Sequence, residues 1–137
     1  MPESQSHINF VKKLGEVATQ LLNESQLPFL YLDNSLSEAK PPRTTGNFVP
    51  DMFYKDSDLM MIGEAKTADD VDTKHSLSQY ENYFDDLSSF DGRSIIVFSV
   101  PWYTKNTIKN IARRLRIKKN PSIEIYVITE IGGAEKL

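Results

Sequence analysis

Residues 59–66 read Leu-Met-Met-Ile-Gly-Glu-Ala-Lys, and the first four of them are all apolar. Such a run predicts a strand that is buried on both faces, as strands in the centre of a sheet are. Side chains alternate between the two faces of a strand, so Glu64 and Lys66 lie on the same face. An acid and a base that emerge together from so apolar a strand favour a functional site over an ordinary surface ion pair.

Helices and strands alternate on both sides of this strand. Apolar residues recur at helical spacing in three segments, which predicts helices over 8–22, over 76–88 with Ser76 as its N-cap, and over 104–117. Further strands are predicted over 28–32, 48–54, 94–100 and 123–128, with loops over 33–46 and 67–74. We therefore expect a single α/β domain over residues 1–137, with a mixed central β-sheet, helices on both of its faces and the order α-β-β-β-α-β-α-β.

The composition excludes several kinds of chemistry. The 137 residues include no cysteine, which rules out disulfides, zinc–thiolate sites, iron–sulfur clusters and thiol nucleophiles. The chain has two histidines, His7 and His75, so a histidine-based metal site is disfavoured. No apolar run approaches the roughly 20 residues that span a bilayer, and the polar start does not read as a signal peptide. We expect a cytoplasmic protein with no membrane partner.

Three groups of residues that could take part in a reaction follow one another along the chain. Asp51 lies in the strand before Glu64 and Lys66, and a hairpin would bring it beside them. Gln79 and Tyr83 are four residues apart and so share one face of the next helix. Asp51 and Glu64 can hold a hard divalent cation through their carboxylate oxygens, with the ammonium group of Lys66 one step away. Phosphodiester hydrolysis needs these parts: a metal that polarises the phosphate and acidifies a water, and a cation that positions the water or stabilises charge.

This arrangement resembles the PD-(D/E)xK nuclease superfamily of restriction-endonuclease-like domains. The matching motifs are Pro50-Asp51, Glu64-Ala65-Lys66 after twelve intervening residues, and a QxxxY element at 79–83. The resemblance covers residues 8 to 128. Known members of the superfamily include Holliday-junction resolvases, VRR-NUC modules and RecB-type nuclease domains. The resemblance implies the family's α-β-β-β-α-β core and a nuclease that uses Mg²⁺ or Mn²⁺ to hydrolyse phosphodiester bonds in DNA.

The resemblance also implies roles for single residues. Asp51, Glu64 and the Ala65 carbonyl would bind the metal. Lys66 would activate the water, Gln79 would support the metal site or Lys66, and Tyr83 would contact nucleic acid in the same groove. Many family members place a further metal-binding glutamate on the first helix, where Glu16 is the candidate. A helical wheel puts Glu16 nearly opposite the apolar face, so this role is not carried over.

The segment 105–119 holds seven bases and no acid. Four of the bases recur at four- and three-residue spacing and can form a stripe that contacts phosphates: Lys105, Lys109, Arg113 and Arg116. The alternative is a solvated helix face that binds nothing. Trp102 and Tyr103 precede this helix and can stack on bases, although their place between a strand and a helix favours packing.

Three functions remain open at this point. The first is the DNA nuclease, acting as a homodimer or as a component of a larger complex, because so small a domain covers little of a duplex. The second is a catalytically inactive protein of the same fold that serves as a nucleic-acid-binding or protein-interaction module. The third is an unrelated α/β ligand-binding domain, which no glycine-rich phosphate loop supports.

Overall fold

Three helices and one six-stranded sheet are present in the computed structural model, which describes residues 4–33 and 41–137. The helices are α1 (Gln5–Leu21), α2 (Lys74–Ser88) and α3 (Lys105–Lys119). The strands are β1 (Tyr31–Leu32), β2 (Met52–Lys55), β3 (Leu59–Ala65), β4 (Arg93–Ser99), β5 (Glu124–Ile128) and β6 (Glu135–Lys136). The prediction of a mixed α/β fold is confirmed.

The strands lie in the sheet in the order in which they occur in the chain. β3 pairs in parallel with β4, and β4 with β5, while the remaining neighbours are antiparallel. Parallel neighbours need a crossover connection, and α2 and α3 supply the two that are required. Every residue of β3 is buried, as the apolar run predicts for a central strand.

The helices divide between the two faces of the sheet. α1 packs against one face, where Met61 of β3 and Val97 of β4 belong to the same apolar cluster as Leu14. α2 and α3 cover the opposite face, where Ile62 lies in a cluster with Phe84 and Ile108. Because side chains alternate along a strand, the even-numbered residues of β3, Glu64 among them, face α2 and α3.

Helix α2 begins earlier than the sequence predicts. Its N-cap is Thr73, whose hydroxyl accepts the Ser76 N–H at 3.1 Å, so the prediction of Ser76 as the cap is wrong. Tyr80, Phe84 and Leu87 are fully buried, as their helical spacing predicts, and Ser76 and Gln79 are buried as well, whereas Leu77 is 40% exposed. Gln79 is buried together with a hydrogen-bond partner just after β3, which is described below.

Two predicted strands are shorter than expected. The strand over 48–54 begins only at Met52, because Pro50 has no N–H to donate to a ladder and the carboxylate of Asp51 takes over one backbone amide of β3. The strand over 28–32 is a 3-10 turn at Leu27–Phe29 followed by the two residues of β1. Part of the loop predicted over 33–46 lies outside the described residues. β6 was not predicted.

Within residues 4–33 and 41–137, no helix is both long enough and apolar enough to cross a membrane.

Candidate active site

Asp51 and Glu64 come together at one end of the β2–β3 hairpin. Met52 pairs with Gly63, so Asp51 follows in register opposite Glu64. One carboxylate oxygen of Asp51, Oδ2, accepts the Ala65 N–H at 2.9 Å, which fixes the side chain against β3. Both acids are buried, with 7% of Asp51 and 4% of Glu64 exposed. Two carboxylates are therefore held side by side and away from bulk water.

Glu64 has a donor on one carboxylate oxygen and a cation near the other. The Tyr83 hydroxyl donates to Oε1 at 2.8 Å, and the ammonium nitrogen of Lys66 is 3.6 Å from Oε2. Burial and the neighbouring charge of Asp51 raise the pKa of Glu64 well above its usual range, and Lys66 and Tyr83 only partly oppose this. Glu64 therefore favours its protonated form unless a further positive charge, such as a bound cation, neutralises the pair.

Lys66 is held by two oxygen-bearing side chains. It follows the last residue of β3, and its ammonium group donates to Oε1 of Gln79 on α2. Lys66 and Gln79 are each 8% exposed, so this hydrogen bond is shielded from solvent. A buried ammonium group needs such partners, because burial without them would cost several kcal/mol. The structure therefore brings Asp51, Glu64, Lys66 and Gln79 into one connected cluster.

Tyr83 joins this cluster in a different role from the one predicted. Its side chain is 0% exposed, and its ring meets Phe48 edge to face at 6.4 Å. The ring has no exposed surface, so the structure gives no support to the prediction that Tyr83 contacts nucleic acid. Burial and the charge of Glu64 raise the pKa of the Tyr83 hydroxyl, so the hydroxyl stays protonated and acts as a donor that positions Glu64.

His7 is a neighbour of the cluster that sequence reasoning missed. It lies in the first turn of α1, and its Nε2 is 3.4 Å from Oδ2 of Asp51. The contact spans more than forty residues of chain, so local sequence patterns cannot show it. The sequence does contain one signal for the start of α1, the N-cap residue Ser4, whose hydroxyl accepts the His7 N–H at 3.1 Å. This signal places His7 in the first turn of the helix.

The donor set of the cluster fits a magnesium ion. Mg²⁺ is commonly held by one or two carboxylates, with water and substrate phosphates completing its shell, and Asp51 and Glu64 supply such a pair. Carboxylate oxygens keep acceptor capacity beyond the single hydrogen bonds described above. In the described part of the chain, no group of three His, Cys, Asp or Glu side chains has the arrangement of a complete metal cage. The residues thus suit a metal that is also held by its substrate.

Two side chains considered from the sequence lie on the outside of the molecule. Glu16 is exposed and is 3.6 Å from Lys13 on the same helix, as the helical wheel indicates. His75 is exposed at the start of α2, where its ring meets that of Phe48. The structure brings neither of them into the cluster.

The basic side chains of α3 are largely occupied by partners within the protein. Lys105 and Lys109 both contact Glu135 of β6, at 2.8 and 2.6 Å. Arg116 donates to the carbonyl of Leu137 at 3.2 Å. Of the predicted stripe, Arg113 alone is exposed with no contact recorded among the described residues. Glu135 on β6, a strand that the sequence analysis did not predict, thus offsets the charge of Lys105 and Lys109, and contact between this stripe and phosphates stays a prediction.

Trp102 and Tyr103 also differ from expectation. They form a 3-10 turn between β4 and α3, and their side chains are 58% and 63% exposed. The expectation that they pack in the core is wrong, because the turn projects from the end of the sheet.

No protein-family model matches the chain, and no curated protein matches it either. The cluster of Asp51, Glu64, Lys66 and Gln79 is therefore the feature that bears on function.

Proposed function

We propose that the protein is a metal-dependent nuclease that hydrolyses phosphodiester bonds in DNA and is built on the PD-(D/E)xK plan. The observation that supports this most directly is the cluster at the end of β3. Two buried carboxylates, Asp51 and Glu64, lie beside a lysine whose ammonium group is 3.6 Å from Glu64 and hydrogen-bonded to Gln79. Two acids that can hold a metal ion and a cation that can stabilise charge on the phosphate are the parts that phosphodiester hydrolysis uses.

The fold adds support at the level of element order. The chain runs α1, β1, β2, β3, α2, β4, and the four strands are neighbours in that order, with β3 and β4 parallel. The family core has the same order of elements. The motif residues also occupy corresponding places, since Asp51 precedes β2, Glu64 lies in β3, and Gln79 lies on α2.

The protein's own groups have distinct tasks in this proposal. Asp51 and Glu64 would hold the metal ion, which when bound neutralises charge on the phosphate and acidifies a water. Tyr83 and the Ala65 amide fix the two carboxylates in place through hydrogen bonds of 2.8 and 2.9 Å. Lys66, held by Gln79, presents a positive charge that orients the attacking water or stabilises charge on the phosphate oxygens. Gln79 acts through Lys66 as a positioning residue.

The test is a cleavage assay on linear, circular, single-stranded and branched DNA, with Mg²⁺ or Mn²⁺ and with chelator. Cleavage should need the metal, and Asp51→Asn and Glu64→Gln should each abolish it and weaken Mg²⁺ binding. Both replacements keep an amide oxygen that can accept from the Ala65 N–H or the Tyr83 hydroxyl, so the fold should survive.

Asp91→Asn and Glu16→Gln are matched controls, because both acids are exposed and outside the cluster. They should cleave like the unmodified protein. Activity that survives in both cluster variants would rule out this site.

A non-catalytic module of the same fold is the second candidate. The observation in its favour is that the residues described here contain no complete three-ligand metal group. Under this alternative, DNA binding would persist with no cleavage in any metal, and Asp51→Asn would leave binding unchanged.

A further inference from the structure

Three large apolar side chains are exposed at the end of the sheet where the candidate active site lies. Trp102 and Tyr103 follow β4, and Ile131, which is 66% exposed, follows β5. The two aromatic rings meet edge to face, with centroids 5.6 Å apart and planes at 84°. Scattered apolar side chains on a surface are ordinary, but the two touching rings of Trp102 and Tyr103 form a continuous aromatic patch.

This patch lies close in space to the backbone of Lys66. The last residue of β4, Ser99, accepts the Lys66 N–H through its carbonyl at 3.0 Å. Trp102 comes three residues later, and three residues of extended chain span at most about 11 Å. A ligand that occupied the cluster could therefore extend onto the aromatic rings without leaving this end of the molecule.

A groove of about 460 Å³ lies at the same end of the sheet. It is lined by hydroxyl groups, acids and Tyr103: Ser4, Ser6, Thr67, Asp69, Tyr103 and Glu130 are among its residues. Carboxylates repel phosphates, and one of them, Glu130, also accepts the Trp102 N–H at 2.6 Å. The lining therefore suits the uncharged part of a nucleotide, its base and sugar, better than the phosphate backbone.

We propose that Trp102 and Tyr103 form a stacking platform for an unpaired base next to the scissile phosphate, an inference that rests on the proposed nuclease function. Aromatic side chains bind single strands by stacking on base faces, which every base offers. The perpendicular rings make a corner, which accepts one splayed base against a ring face and cannot continue a long regular stack. The substrate class is then DNA with unpaired bases at the cut, such as a single strand, a flap or a frayed end.

The test uses the fluorescence of Trp102, which is the single tryptophan of the sequence. With chelator present to prevent cleavage, the full chain is titrated with a single-stranded oligodeoxynucleotide, the same sequence as RNA, a blunt duplex, and an abasic strand of equal length. The DNA strand should quench the emission, and the abasic strand, which keeps every phosphate, should not. Quenching by the RNA as well would show that the base is recognised and the sugar is not.

Variants test the platform independently of the fluorescence signal. Measured by anisotropy of a labelled strand, Trp102→Ala and Tyr103→Ala should each weaken single-strand binding between about fivefold and a hundredfold, while Tyr103→Phe should bind normally. Phe29→Ala is the matched control, because Phe29 is an exposed aromatic that precedes β1 and is 74% exposed. Equal affinity for the abasic strand, or no loss in the alanine variants, overturns the platform and leaves the patch to a protein partner.

The two proposals can fail separately. Cleavage of DNA combined with base-independent binding would remove the platform and keep the nuclease. Base-dependent quenching without cleavage in any metal would keep the platform and remove the nuclease.

Discussion

The Tyr83 hydroxyl provides a test of how the buried carboxylate is positioned. Tyr83→Phe removes the donor 2.8 Å from Oε1 of Glu64 and leaves the ring in the core. Partners that orient metal ligands are worth roughly 10- to 100-fold in metal affinity or activity, so we expect the Mg²⁺ concentration for half-maximal cleavage to rise by about tenfold or more. The measurement is the cleavage rate as a function of Mg²⁺ concentration.

Tyr80 supplies a matched control on the same helix. It is as deeply buried as Tyr83, but its hydroxyl donates to the Val71 carbonyl at 2.8 Å and so lies outside the cluster. Tyr80→Phe should cost about 1 kcal/mol of stability and leave the Mg²⁺ dependence unchanged. Equal metal dependence in the two variants would show that Tyr83 contributes to packing alone.

Lys66 allows a separation of chemistry from binding. Lys66→Met keeps the length of the stem and removes the charge, so turnover should fall by about a hundredfold or more if the ammonium acts in the transition state. Affinity for DNA should change little, since a group that acts in the transition state contributes little to binding of the substrate itself. Lys55→Ala, an exposed lysine at the end of β2, is the control. A loss confined to affinity would make Lys66 an ordinary phosphate contact.

Single residues also show where sequence reasoning succeeds and where it stops. The spacing of Asp51, Glu64, Lys66 and Gln79 sufficed to propose that they meet, because strand alternation and hairpin pairing are local rules. Tyr83 was placed on the correct helix face, but burial depth depends on the sheet beneath it. The contact of His7 with Asp51 depends on how α1 crosses the sheet, which no local rule gives.

At the scale of elements, Gly63 lets β2, β3 and α1 pack closely. A Cβ atom at this position would lie 2.8 Å from Cβ of Met52 and 3.3 Å from Leu14 on α1. Gly63→Ala should therefore lower the free energy of unfolding by about 1–3 kcal/mol, because the core is overpacked. Chemical denaturation measures this change.

Gly133→Ala is the comparison, since a Cβ atom there would meet nothing within 4 Å. It should leave stability within about 0.5 kcal/mol of the unmodified protein. Because Met52 is next to Asp51, Gly63→Ala should also reduce cleavage. Stability equal to that of Gly133→Ala would show that the strands can separate without cost.

At the scale of the whole molecule, β6 controls how much charge α3 offers to DNA. Hydrogen bonds from Lys105 and Lys109 lower the pKa of Glu135 to about 2, so Glu135 is ionised at neutral pH and offsets them. Glu135→Gln should free both lysines and steepen the slope of log affinity against log salt by up to about 2 units. Lys109→Gln should change the slope much less. Identical slopes for the unmodified protein, Glu135→Gln and Lys109→Gln would mean that α3 does not contact DNA.

The same contact has a predictable dependence on pH. A carboxylate with a lowered pKa stabilises the fold above its unfolded value of 4.5, and this contribution is lost as the pH falls towards about 2. Lys109→Ala should therefore raise the titration midpoint of Glu135, which NMR can follow.

The overall architecture was more accessible to sequence reasoning than its periphery. β3, β4 and β5 are nearly continuous apolar runs, which favours fully buried parallel strands, and their predicted positions agree with the structure to within a few residues. β1 and β6 have two residues each, too few for any periodicity to appear. Because β6 was not predicted, the pairing of Lys105 and Lys109 with Glu135 on that strand was not predicted either.

These two short strands bear on how copies of the protein can associate. They form the outer edges of the sheet as described, and an edge of two residues offers few free backbone groups to a strand from another molecule. Joining two copies into one continuous sheet would therefore gain few hydrogen bonds. If the predicted homodimer forms, we expect its interface to consist of side chains on the helical faces. The short edge strands also limit the tendency of the folded protein to polymerise edge to edge.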